Sequence, residues 1–204
     1  MPLSKKSKQL IALFVIASAM LLIYLSAYLP YVKATLYIRA LSMASQAKTL
    51  QDFLNPFQEA FNFWSPIGQP EEIRFFASDI SGVLNQNTQL PKDVAKELVS
   101  YTVGMLNSNP QGGKGLNYSQ ALLLEANILS TYGKTFNDSN ALNTAEKLFK
   151  EGLKLSPTRP QFLYGLFSLY LAEGKNSDAK PIGETILKYW PNDKNVASLL
   201  ANIK

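Results

Sequence analysis

Chemistry at neutral pH needs a group that exchanges a proton, attacks, or holds a metal, and this sequence offers few. Its 204 residues contain no Cys and no His. That removes thiol and imidazole nucleophiles and bases, disulfides, and iron–sulfur and zinc sites. Carboxylates, hydroxyls, lysines and tyrosines are left. Glu71 and Glu72 are adjacent acids that could be posed for acid–base work. Directly after Pro70, however, they have the placement of acids in a helix's first turn, where the peptide dipoles favour negative charge. Gly112-Gly113-Lys114-Gly115 has the outline of a phosphate loop, but no strand signal precedes it and no Ser or Thr follows the Lys. Glu146/Lys150 and Lys147/Glu151 stand four apart, the spacing of ion pairs on a solvated helix face. No catalytic centre, cofactor or metal is expected.

The elements that would position these groups fall into two parts. The net charge of +5 is not evenly spread. Residues 1–48 hold six cations (Lys5, Lys6, Lys8, Lys33, Arg39, Lys48) and no acid, whereas residues 49–204 hold 14 cations and 15 acids. A body with no basic excess gives no reason to expect a nucleic-acid partner.

From Leu10 to Val32 there are 23 residues without a charge. As a helix this run is roughly 34 Å long, against about 30 Å of hydrocarbon. Lysines flank one end, and Tyr24, Tyr28 and Tyr31 stand where an aromatic belt would fall. Pro30 is expected to break the helix there. A cleaved signal peptide, leaving a secreted repeat protein, is the rival reading, with Ala17-Ser18-Ala19 as a small-residue site. The apolar run continues through Leu21, Leu22, Ile23 and Leu25, which favours a retained anchor in the bilayer over residues 10–32. The basic N-terminal flank predicts a cytoplasmic N-terminus and an extracytoplasmic body.

Beyond the anchor, helices are predicted over roughly 33–48, 50–64, 70–87, 91–108, 118–133, 139–155, 160–173, 176–189 and 194–203. The run 110–115 reads as a flexible joint. A repeat is visible within them. Phe149-Lys-Glu-Gly152-Leu153-Lys-Leu155-Ser-Pro157 returns as Gly183-Glu-Thr-Ile186-Leu187-Lys-Tyr189-Trp-Pro191, which puts the two prolines 34 residues apart. Leu163, Leu166, Tyr170, Gly174 and Ala179 lie between them in helix–turn–helix order.

This pattern resembles the tetratricopeptide repeat family. The preceding unit fits it through Leu122, Ala126, Leu129 and Gly133, the last as the turn, then Ala145, Phe149, Gly152 and Pro157. About seven extra residues relative to the family period are expected in a loop over Thr135–Leu142. Phe167 stands where the family usually has Gly or Ala, which predicts looser or shifted packing in the last repeat. The fold class is then all-α: a transmembrane helix (1–32), degenerate helical repeats (33–115), and two repeats with a capping helix (116–204) in an α-α superhelix.

The resemblance implies a protein or peptide partner held in a groove formed by first helices. Its lining would include Gln120, Leu123, Asn127, Gln161, Tyr164, Ser168 and Leu171, with Asn195 and Ser198 beyond. Carboxylate clamps in the family use several Lys or Arg with Asn. Only Asn127 comes near that pattern, so an extended or helical segment is expected in place of a C-terminal carboxylate.

The order of Pro30, Ala34, Ala40 and Leu41, then Phe53, Phe57, Ala60 and Glu72-Ile73-Arg74, is also similar to the C-terminal region of bacterial O-antigen ligase/polymerase-type membrane proteins. So is the run Pro157-Thr-Arg159-Pro160-Gln161 … Leu169-Tyr170-Leu171-Ala172-Glu173-Gly174-Lys175. That resemblance implies an alternative reading, the non-catalytic C-terminal portion of a glycosyl-transferring membrane protein in the bacterial envelope, and carries no catalytic residue to this chain.

Overall fold

The computed structural model describes residues 4–86, 90–108 and 115–203. Residues 110–114 of the expected joint, with Gly112-Gly113-Lys114 among them, and Lys204 lie outside these. The helices are α1 (Lys5–Ile23), α2 (Leu29–Ala44), α3 (Leu50–Asn62), α4 (Gln69–Gln86), α5 (Lys92–Ser108), α6 (Gly115–Phe136), α7 (Ser139–Leu155), α8 (Pro160–Ala172), α9 (Asn176–Tyr189) and α10 (Lys194–Ala201). No strand occurs among the described residues. The chain divides into two compact units between Ile73 and Arg74.

In the first unit, Ser4 caps α1 by accepting from the Ser7 N–H at 3.1 Å. The expected break at Pro30 does not occur. Tyr24–Tyr28 forms a π-helical turn, with the Leu29 N–H bonded to Tyr24 O, and joins α1 to α2 in one helix of 40 residues. Widening the turn just before Pro30 makes room for its ring and absorbs the missing donor. No residue of α1 is buried. Leu10, Leu13, Phe14, Met20 and Leu22 are all exposed, so the helix is apolar on every side without a protein partner.

Helix α2 then folds back on α3. Thr49 and Asp52 start α3 with a reciprocal capping box, both bonds 3.1 Å long. The buried stripe Leu29, Lys33, Tyr37 and Ala40 faces Leu54, Phe57, Ala60 and Phe61. Tyr37 meets Phe57 edge-on at 5.7 Å. Lys33, one of the six cations counted in residues 1–48, belongs to this stripe and is 1% exposed.

The second unit is built from successive helices. Phe76 of α4 meets Tyr101 of α5 edge-on at 5.8 Å. From α5 to α10 each helix packs on the next, and α6 also touches α8. The core gathers Phe149, Phe162, Leu163, Leu166, Phe167, Leu169, Tyr170 and Ile186, with α8 at its centre. Each such side chain taken out of water contributes about 1.5–3 kcal/mol before chain entropy is set against it.

Helices α7 and α8 interlock reciprocally. A Cβ at Gly152 would lie 2.2 Å from the Phe162 ring, and one at Gly165 would lie 2.4 Å from the Phe149 ring. Each helix therefore presents a glycine where the other presents a phenylalanine. The same device answers the expectation for Phe167. Its ring is buried against Gly183 of α9, where a Cβ would come within 2.8 Å of it. The large side chain is fitted by removing one opposite, and the packing is close.

One turn differs from expectation. Helix α6 runs through Gly133 to Phe136, and the reversal falls at Asn137, whose φ of 53° is left-handed. Gly133 instead admits Leu142, whose side chain lies 2.6 Å from where a Cβ would be. The extra residues lengthen helix and leave a short link. Asp138 then caps α7 by accepting from the Ala141 N–H at 3.0 Å.

Candidate functional site

Helices α4 and α6, with Arg159 at the N-terminal flank of α8, line a pocket of about 320 Å³ through Arg74, Phe75, Ser78, Gln120, Leu123 and Arg159. Arg74 Nη1 donates to Gln120 Oε1. Arg159 Nη1 donates to Ser119 Oγ at 2.6 Å, and its guanidinium lies 5.3 Å from the Phe162 ring centre. The Arg74 Nε is buried without a hydrogen-bond partner. Among the described residues no carboxylate lies within 4.0 Å of either guanidinium. Two cations thus meet one pocket with only neutral partners. Phe75, 59% exposed, and Leu123 give it an apolar wall.

The lining expected from the sequence is partly brought together. Gln120 and Leu123 share this pocket. Asn127 follows one turn on along α6, partly buried. On α8, Gln161 and Ser168 are exposed, and Leu171 packs at the core's edge. Tyr164 is committed elsewhere. Its hydroxyl donates to Asp193 Oδ2 at 2.6 Å, and its ring lies 5.9 Å from Trp190. The Asp193 bond pushes the phenol up to about 12. Asp193 in turn caps α10 through the Val196 N–H, so Tyr164 ties α8 to the start of the last helix. Asn195 and Ser198 of α10 are exposed.

Sequence reasoning passed over Arg74 and Arg159. The family's clamp pattern places its cations among first-helix lining positions, whereas Arg159 stands just outside α8 as its N-terminal flank. The available signals were a cation before the Pro160 helix start and one following the acids of α4.

Each unit holds an ion-pair cluster of its own. In the second unit, Glu146 of α7 accepts from Lys150 at 2.6 Å, Lys175 at 2.9 Å and the Tyr170 hydroxyl at 3.1 Å. Burial pushes this carboxyl up, but those donors outweigh it and bring it to about 2. In the first unit, Lys33 Nζ lies 3.5 Å from Glu72 Oε2. Burial pushes Glu72 up to about 7 while Lys33 pulls it the other way. Of the two adjacent acids, Glu71 is exposed and Glu72 is buried.

Residues 137–203 match the model of the tetratricopeptide repeat family. The match covers α7 to α10, where the interlocked glycines and the core helix α8 lie. Those helices are similar to tetratricopeptide repeats, which generally bind protein partners. No curated protein and no solved structure matches the chain.

Proposed function

We propose that the chain is a membrane-anchored scaffold that holds an acidic, partly apolar segment of a partner protein on the α4–α6–α8 face. The observation that carries this reading is the convergence of Arg74 and Arg159 on one pocket with no carboxylate of the described residues against either. Guanidinium groups in that state favour a bidentate carboxylate. The wall of Phe75 and Leu123 favours an apolar neighbour on the same segment. Gln161 and Ser168 would extend the contact along α8.

The anchor is helix α1 with its π turn, which exposes apolar side chains on every side over the length of a bilayer core. With Lys33 buried against Glu72, the cations left on the body side are Arg39 and Lys48, against Lys5, Lys6 and Lys8 on the other. That imbalance supports a cytoplasmic N-terminus and an extracytoplasmic body. The setting we propose is a bacterial envelope assembly. The likeness to the tail of O-antigen ligase/polymerase-type proteins rests on dispersed residues alone, and no residue of the site depends on it.

The experiment is a selection from a random peptide library on the full chain in nanodiscs. Enriched peptides should carry an acidic residue beside an aliphatic or aromatic one. Selection on the Arg74→Glu/Arg159→Glu variant should lose them, and selection on Lys147→Glu should keep them. Enrichment without acidic residues, or insensitive to the arginines, would overturn the reading.

A further inference from the structure

The loop joining α3 to α4 is held at both ends by one side chain. Lys33 Nζ donates to Ala60 O at 2.9 Å and Phe63 O at 2.8 Å, where α3 ends. Its stem packs beside Gly68, where a Cβ would lie 3.8 Å from Lys33 Cδ. Lys33 directly follows the apolar run, so the loop is pinned where that run leaves off. Between the pinned ends stand Trp64 and Ile67, 66% and 58% exposed. Ser65 Oγ, donating to Ile67 O at 2.8 Å, closes the loop on itself.

The register of the α2–α3 hairpin sets the level of these side chains. Tyr37 pairs with Phe57 and Phe61, and Lys33 pairs with Ala60 and Phe63. Helix α3 thus returns antiparallel towards the apolar helix. Beyond Phe63, where α3 has ended, the loop stands at the N-terminal end of α2, next to the apolar run in which Tyr28 and Tyr31 are themselves exposed. Trp and Tyr are the residues that settle at a membrane's polar–apolar boundary, with the ring body in the acyl region and the polar edge in the headgroups.

We infer that the α3–α4 loop is a second membrane contact, in which Trp64 and Ile67 enter the bilayer interface beside Tyr28 and Tyr31. The inference rests on the membrane reading of α1 proposed above. Two attachment points side by side fix the tilt of the α2–α3 hairpin at the surface, which one helix crossing the bilayer does not.

The chain has two tryptophans, so Trp190→Phe leaves Trp64 as the only indole. This full-length variant is reconstituted into phosphatidylcholine/phosphatidylglycerol vesicles with plain acyl chains or with chains brominated near the headgroup. The expected result is flotation with the vesicles and loss of at least half the Trp64 emission on bromolipid. An indole placed at Met43, at the opposite end of α2, in the Trp64→Phe/Trp190→Phe background should keep its emission. A chain that floats with Trp64 unquenched overturns the loop contact and leaves the anchor standing. A chain that fails to float overturns both.

Discussion

The Lys33 ammonium sits 2.8 Å from the carbonyl oxygen of Phe63, so a side chain of α2 closes the C-terminal end of α3. A cation there adds to the Phe63 N–H on the Ala60 carbonyl and meets that of Phe63, at the negative end of the helix dipole. Glu72, in the first turn of α4, balances the charge. Lys33→Met would leave two carbonyls and a buried carboxylate without their cation and should cost about 3–5 kcal/mol, as broken buried pairs do. Lys33→Met/Glu72→Leu removes both charges and should recover part of that loss. Urea unfolding of the reconstituted chain in the Trp190→Phe background, followed by Trp64 emission, reads both. A double variant no more stable than the single one would contradict this role for the pair.

The Glu146 cluster gives a pH dependence with a definite sign. Its carboxyl titrates near 2 in the folded chain, below the ordinary value of 4.5. A group with a lowered folded pKa adds stability that is complete above its unfolded pKa and is lost as pH falls through the folded one. The second unit should therefore lose stability between about pH 4.5 and pH 2. Glu146→Gln should flatten that part of the curve and lower stability at pH 7. Thermal melts from pH 7 to pH 2 check it, and a variant with the same acid slope as the parent would contradict the assignment.

Two glycine-to-alanine substitutions should move stability in opposite directions. At Gly152 the new methyl would meet the Phe162 ring at 2.2 Å, between elements that cannot separate without opening the core. Overpacking of this kind costs about 1–3 kcal/mol. Gly104 lies inside α5 with nothing within 4 Å of the new atom. There, alanine should gain about 0.5–1 kcal/mol from the helix-forming entropy that glycine lacks. Paired denaturation curves measure both, and equal effects would show that the α7–α8 contact is not tight.

Where local signals agree with the tertiary structure, the sequence reads through. Helices α7 and α9 have the bounds that the periodicity predicts, because Asp138 caps the first and Gly174, at a φ of 67°, reverses the chain before the second. The misreadings come from long-range contacts. Gly133 looks like a turn residue but is small to admit Leu142, and Pro30 looks like a breaker until the π turn before it takes up the strain. Lys33 is one of the cations in residues 1–48 until its place on the stripe Leu29, Lys33, Tyr37, Ala40 is set against α3. Arg74 and Arg159 stand 85 positions apart, and nothing local links them before α4, α6 and the N-terminal flank of α8 line one pocket.

The central claim is that these two arginines recognise an acidic segment, and an affinity series tests it most directly. A labelled peptide from the library selection is titrated, by fluorescence anisotropy, against the parent chain, Arg74→Glu, Arg159→Glu, and the outer-face control Lys147→Glu. Charge-assisted hydrogen bonds contribute about 1.5–3 kcal/mol each, so each arginine reversal should weaken binding by at least about tenfold. The control should change it less than about twofold, and raised salt should weaken the parent's binding. Equal affinities across the series, with no salt dependence, would contradict the account.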